Sequence, residues 1–340
     1  MAMSSERYLW WSHIEAYEEC PQKYLWKHGF GVIDLGRGPG KGKPLPEVRM
    51  SGHNAMMGNV LSWAIERLYN DELWREPATL VQRLTEIVEK DFALRLSKTY
   101  IEWDEDWTEN SRVKHDKSPP KEVLLRICLE GILNYLRTMR RNRLLGQYAK
   151  SEVELSGYVD KFTKIAGRPD LIIRRDDNGT TIVDGKNSMS PGRHTNADQL
   201  RWYALCYFVA YNVIPNRLAF AYFRFPEGVP PKEVGPNKPY EGKPEEWSGL
   251  VEVSCDRSDL KTLAHRSVET RKVMLKEYFD PSPSTKACNF CDFKPVCPAH
   301  QKWKEENARK PRAPKDALES TLLSSNGFVT FGGDTDPRKT

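Results

Sequence analysis

Two short stretches carry residues able to do chemistry together. "GRPDLIIRRDD" holds Asp170, and "TTIVDGKNS" holds Asp184, Gly185 and Lys186, with thirteen residues between the two aspartates. Both stretches are rich in β-branched residues, and Asp177-Asn178-Gly179 between them is a hairpin signal. Side chains alternate along a strand, so Asp184 and Lys186 share one side of the sheet while Gly185 faces away. A tight hairpin brings Asp170 level with Asp184. Two carboxylates and an amine at a sheet edge make an oxygen-rich site with a cation beside it, the ligand set that Mg2+ or Mn2+ prefers.

A second group lies near the end, where "KACNFCDFKPVCPAH" places Cys288, Cys291 and Cys297 within ten residues. Three thiolates do not close a tetrahedral site. His300 or His28 would complete a Cys3His zinc centre, whereas a fourth cysteine would suit an iron–sulfur cluster. Seven cysteines, an odd number, argue against a disulfide framework. Cys128, Cys206 and Cys255 sit in apolar or strand-like settings and read as buried small hydrophobes.

The elements around these residues follow from periodicity. A helix over about 12–28 is interrupted or restarted at Pro21. A Gly/Pro/Lys-rich loop follows, and its "GRGPGKGK" matches no register of a phosphate-binding loop. Two helices span about 54–97, and a third, after a polar connector, runs to about 141. The texture then changes to strands in "EVELSGYVD", "DLIIRRD" and "TTIVDGK", with a helix in "ADQLRWYALCYFVAYN". "RLAFAYFRF" and "GLVEVSC" are further strands, and a helix near 256–278 precedes the cysteines. The order predicts an α/β or α+β chain built around one central sheet.

At 340 residues, with 39% hydrophobic and 29% charged residues, the chain can bury a substantial core. No apolar run approaches the ~18 residues of a membrane span. "MAMSSERYLWWSHIEAYEEC" has no secretion-signal core, so a soluble cytoplasmic protein without membrane contact is expected. The net charge of +5 permits nucleic-acid binding without requiring it.

Taken together, Pro169-Asp170 followed by Asp184-Gly185-Lys186 resembles the signature of the PD-(D/E)XK nuclease superfamily. Downstream, "DQLRWYALCY" puts Gln199 and Tyr203 four apart on one helix face, resembling the Q-x-x-x-Y element of the RecB-like branch. Upstream, "MMGNVLSWAIERL" resembles that branch's G-x-x-H helix ending in Glu66. Its usual His, one turn earlier, is replaced here by Ser62, and His53 is assigned to the preceding loop without that role. "SHIEAYEECPQKYLWK" resembles the branch's opening motif, whose cysteine would be Cys20. The pattern is similar to that of the iron–sulfur CRISPR-associated RecB-type exonucleases and the AddB nuclease domain.

The resemblance implies a restriction-endonuclease-like α/β core, a central mixed β-sheet flanked by helices, with an N-terminal helical part and a C-terminal iron–sulfur clasp. It implies Mg2+ or Mn2+ on Glu66, Asp170, Asp184 and the Gly185 carbonyl, with Lys186 as the catalytic lysine and Gln199 and Tyr203 on the substrate side. It implies a 4Fe–4S cluster on Cys20, Cys288, Cys291 and Cys297, with Zn2+ as the rival. The expected activity is an exonuclease on single-stranded or end-bearing DNA in recombination, repair or phage DNA processing, with a helicase or recombination protein as partner. A weakly cutting DNA-end-binding scaffold and a structure-specific endonuclease are the alternatives. Expected segments are 1–29 with the first cysteine, 30–150 helical, 151–280 the nuclease core, 281–301 the cysteine cluster, and 302–340 a tail without fixed structure.

Overall fold

The computed structural model describes residues 8–28, 52–99, 101, 103–104, 108, 118–145, 148–174, 179–187, 196–226, 228–235, 238–276, 278–289, 291 and 293–308. The "GRGPGKGK" loop and the Asp177-Asn178 turn lie outside them. The chain forms two compact units, the first ending at Ser282 and the second starting at Pro283.

In the first unit, α1 (Trp11–Glu19) and α2 (Pro21–His28) are separated by Cys20, whose backbone is extended. Pro21 opens α2, where its missing N–H costs no hydrogen bond. Three helices follow: α3 (His53–Asn70), α4 (Leu80–Leu96) and α5 (Lys121–Arg141). His53, expected on a loop, is the buried first residue of α3.

The main sheet has five strands: β2 (Tyr148–Ser151), β5 (Leu171–Arg174), β6 (Thr180–Lys186), β7 (Arg217–Tyr222) and β10 (Leu250–Val253), in the order β10-β7-β6-β5-β2. Among the described strands of this sheet, only β6 and β7 pair in parallel. Parallel neighbours need a crossover, and α6 (Ala197–Tyr211) provides it. Asn196 caps α6 by accepting the Asp198 N–H at 3.1 Å, a contact of about 1 kcal/mol. Alternation divides the strands between two cores. Leu171, Ile173, Val183 and Ala219 pack with α3, α4 and α5. Ile172, Ile182, Leu218 and Phe220 pack with α1, α6 and α7 (Arg257–Leu275) on the other side.

The strand series does not stay in one sheet. β3 (Leu155–Tyr158) and β4 (Lys164–Gly167) form an antiparallel hairpin that joins β1 (Leu9–Trp10) in a separate three-stranded sheet. The chain turns away between β2 and β3 at Glu152, whose φ of 52° is left-handed and rare outside glycine. A short ribbon of β8 (Glu233–Gly235) and β9 (Lys238–Pro239) completes the unit.

In the second unit, α8 (Thr285–Asn289), a 3-10 turn at Lys294–Val296 and α9 (Pro298–Ala308) carry the cysteine segment. The tail expected to lack structure from 302 is therefore helical as far as Ala308. His300 is buried, and its ring stacks on that of Trp303 in the same helix, the centroids 5.8 Å apart. Residues 309–340 lie outside the described ones. No described helix is long and apolar enough to cross a membrane.

Candidate active site

The end of β6 positions the chemistry. The β5–β6 register pairs Leu171 with Val183, and one step further sets Asp170 opposite Asp184. The Gly185 N–H donates to Asp170 Oδ2 at 2.7 Å and fixes that carboxylate against the strand. Only glycine fits there, because a Cβ on Gly185 would stand 2.7 Å from Phe223 Cζ. Phe223 is itself tied down, its N–H donating to the Lys186 carbonyl and its own carbonyl accepting from Asn134 of α5.

On the opposite face, Asp184 and Lys186 point at α6. Lys186 Nζ lies 2.5 Å from Asp184 Oδ2 and donates to Gln199 Oε1 at 2.9 Å. The Gln199 amide spans to Asp184 Oδ1 at 3.4 Å and to Tyr203 Oη at 3.0 Å. One α6 face, spaced i and i+4, thus holds both ends of the strand's ion pair.

Asp184 is only 2% exposed. Burial, and then the neighbouring charge of Asp184, push the Asp170 carboxyl well above the usual range, against the pull of the Gly185 N–H and Lys186. Burial raises the Tyr203 phenol too, with Asp184 adding to the shift. Negative charge here exceeds what one ammonium balances, and every donor is a hard oxygen. Hard divalent cations prefer oxygen donors of this kind.

The model of one protein family, the PD-(D/E)XK nuclease superfamily, matches residues 11–298. The chain belongs to the PD-(D/E)XK nuclease superfamily. Its mixed sheet flanked by helices is the restriction-endonuclease-like fold of those nucleases. A search of curated proteins gave no match. Among solved structures the chain is similar to one described as "Crystal structure of SSO0001", 19% identical, covering 53% of this chain and 77% of that one at a TM-score of 0.28. That likeness is too loose to align individual elements.

Within this PD-(D/E)XK core, Asp170, Asp184, Gly185, Lys186, Gln199 and Tyr203 are joined by contacts. Glu66 sits half-buried on α3, one turn beyond Ser62. Four residues further along that helix, Asn70 Oδ1 accepts from the Ser151 hydroxyl of β2 at 3.2 Å. Among the described residues, no three His, Cys, Asp or Glu side chains gather in a metal-holding group.

Two neighbours of the site escaped the sequence reading. Glu152, at the left-handed turn, takes the Asp170 carbonyl on its N–H at 3.2 Å and pairs with Arg168 Nε at 3.0 Å. Burial raises its carboxyl, Arg168 opposes this, and the charges of Glu66 and Asp184 raise it further. Arg224, just past β7, donates to Asn187 Oδ1 at 3.0 Å beside Lys186, and burial lowers its pKa. The signals available were faint: an acid opening a strand, and an arginine closing one. Arg174 is at the far end of β5 from Asp170 and lies over the Tyr211 ring.

The cysteines divide by burial. Cys128 and Cys206 are buried, and burial pushes the Cys128 thiol up to about 12. Cys255 is half-buried, its thiol raised to about 11. Cys20, Cys288, Cys291 and Cys297 are each half-buried. Cys20 Sγ accepts the N–H of Ser282, the last residue of the first unit, at 3.4 Å.

Proposed function

We propose that this nuclease is a Mg2+- or Mn2+-dependent DNA exonuclease of the RecB-like branch. The contact line from Asp170 through Gly185, Asp184, Lys186 and Gln199 to Tyr203 carries the reading. Asp170, Asp184, the Gly185 carbonyl and Glu66 would hold the ion. When bound, such an ion acidifies water and neutralises phosphoryl charge. Lys186, gripped by Asp184 and Gln199, orients the attacking water and meets negative charge as it builds on the phosphate. The water oxygen bonds to phosphorus as the bridging P–O bond breaks, and the leaving oxygen takes up a proton. Tyr203 anchors the glutamine that anchors the lysine. The substrate is single-stranded or end-bearing DNA, in recombination, repair or phage DNA processing beside a helicase or recombination partner.

The test uses Mn2+, end-labelled linear DNA and a closed circle of the same sequence. Nucleotides should leave the linear DNA while the circle survives. Cutting of the circle would make the protein a structure-specific endonuclease. Binding without cutting would leave an end-binding scaffold, the reading favoured by Ser62 where the family's helix usually carries His.

Cys20, Cys288, Cys291 and Cys297 are assigned to a structural 4Fe–4S cluster, supported by their half-burial and by the N–H donated to Cys20 Sγ, a bond of the kind cluster thiolates accept. His300 favours zinc as the second reading, because it is buried and its Nδ1 has no hydrogen-bond partner among the described residues. Anaerobically purified protein should be brown, with about four iron and four sulfide per chain. Colourless protein carrying one zinc refutes the cluster and leaves the nuclease reading intact.

A further inference from the structure

Away from the catalytic corner, the first unit carries a furrow between α7 and the β3–β4 hairpin. Two cavities of about 480 and 390 Å³ lie along it and share Tyr158 as a wall. One stripe of α7 lines both, and Leu205, Phe208 and Val209 of α6 wall the larger. Arg257, Leu260, Lys261 and Ala264 line the larger cavity, and Val268, Arg271, Lys272 and Leu275 line the smaller. The helix is 19 residues long, so the stripe spans roughly 28 Å at 1.5 Å per residue.

The furrow combines exposed aromatic rings with cations. Tyr158 is 54% exposed and Phe162 is 65% exposed, unusual for large apolar side chains on a folded unit. Lys161 Nζ stands 4.8 Å from the Phe162 ring centre, and Lys164 Nζ stands 5.5 Å from that of Tyr158. Among the described residues, Lys161, Arg257 and Lys261 have no ion-pair partner. The nearest acids are already engaged. Asp160 Oδ1 accepts the N–H groups of Phe162 and Thr163 and closes the hairpin turn. Glu269 pairs with Lys272 in an exposed contact that salt or a polyanion can displace.

We propose that this furrow is a single-stranded DNA track, with bases stacking on Tyr158 and Phe162 and the backbone following the lysines and arginines of the hairpin and α7. Every base offers a π-face to an aromatic side chain, and cations alongside neutralise phosphates without reading sequence. A duplex hides those faces, which is why the exposed rings select a single strand. The track also has a route to the cutting site. At the foot of the hairpin, Gly167 lies on α6, where an added Cβ would be 3.1 Å from Tyr203 Cδ1. Six residues of extended chain separate Lys164 from Asp170, at most about 20 Å, or roughly six nucleotides at their stacked spacing. A strand longer than that reaches both. The track rests on the nuclease reading only for its direction; the strand binding stands by itself.

Fluorescence anisotropy without divalent metal tests it, using an oligothymidylate of about 20 nucleotides and one of about four. The pair Tyr158→Ala and Phe162→Ala should weaken the long oligonucleotide at least about tenfold, and wild type should bind the short one, which meets fewer of the cations, more weakly than the long one. Lys161→Gln and Lys261→Gln, which disturb no packing, should each lower the salt dependence by roughly 0.7 in the log–log slope. Equal affinity of wild type and all four variants would overturn the track. So would a duplex of equal length that binds as tightly and is weakened equally. Wild type that cuts DNA while its furrow variants bind unchanged loses the track alone. Strand binding through these residues with no cleavage in Mn2+ overturns the nuclease reading and keeps the track.

Discussion

Two of the places where the first unit buries titratable groups meet burial in opposite ways. In the α1–α2 pair, the His13 and His28 rings are 4.5 Å apart beside Tyr24. Burial lowers each pKa to about 4; the His28 charge helps lower His13, and Lys27 and Lys23 help lower His28. His13 Nδ1 accepts the Trp10 N–H at 3.5 Å, which a neutral ring allows. Both imidazoles can stay uncharged and pack as aromatics. At the end of β6, the half-buried Asp170 and the buried Asp184 face one ammonium. Neutralising Asp170 there needs a proton or an added cation. Burial that a group resolves within the fold is packing, whereas burial that leaves charge unbalanced is a receptor.

The largest effects should break the receptor itself. Asp184→Ala removes one partner of Lys186 and of Gln199; Lys186→Ala removes the cation. Either should reduce cleavage of end-labelled DNA by about 10²–10³-fold or more, with circular dichroism unchanged. Survival of activity in both would put the chemistry elsewhere.

Asp170→Asn should separate function from stability. A carboxyl whose folded pKa lies above its ordinary ~3.9 binds its proton more tightly when folded. Its contribution to stability therefore falls as pH rises from about 4 through the raised value. Asn keeps an oxygen for the Gly185 N–H and cannot ionise. The metal-free variant should melt roughly 2–4 °C above wild type at pH 8 and cut no DNA. Mn2+ should raise the melting temperature of wild type and leave the variant unmoved.

Gly185→Ala acts through shape alone. The new methyl meets Phe223 at 2.7 Å, a conflict costing about 1–3 kcal/mol. Phe223→Leu in the same chain should recover part of the lost melting temperature. A penalty unchanged by the second substitution would mean that strand geometry, not the ring, forbids a side chain.

Much of the receptor was legible in the sequence. Strand alternation sets Asp184 and Lys186 on one side, the β-branched runs of β5 and β6 set Asp170 opposite, and helical spacing places Gln199 under Tyr203. The turn at Glu152 was not, because a left-handed glutamate leaves no compositional mark; with it went the split into two sheets and the placing of Glu152 itself. Arg224 comes from the end of a strand 38 residues past Lys186, and only the β6–β7 register brings it near. His53 was given to a loop because it closes a Gly/Pro/Lys-rich stretch, whereas Gly52 before it serves as the N-cap of α3.

The smallest effect belongs to the histidine pair, and it decides whether the comparison holds. A histidine whose folded pKa is depressed contributes stability above its ordinary ~6.5, and that stability is lost as pH falls toward about 4. His28 is only half-buried and so partly screened by solvent, which holds the pair's contribution to the order of 1–2 kcal/mol. His13→Phe keeps a ring beside Tyr24 and removes one titration. It should flatten the fall in melting temperature between pH 6.5 and 4 and leave cleavage at pH 8 unchanged. Metal-free Asp170 works against that fall, since it gains stability over the same range. Asp170→Asn should therefore lose stability in acid more steeply than wild type, and combining it with His13→Phe should restore a shallower slope. Opposite slopes from the two single substitutions are what packing and receptor require; parallel slopes would mean that both regions bury their charges for the same reason.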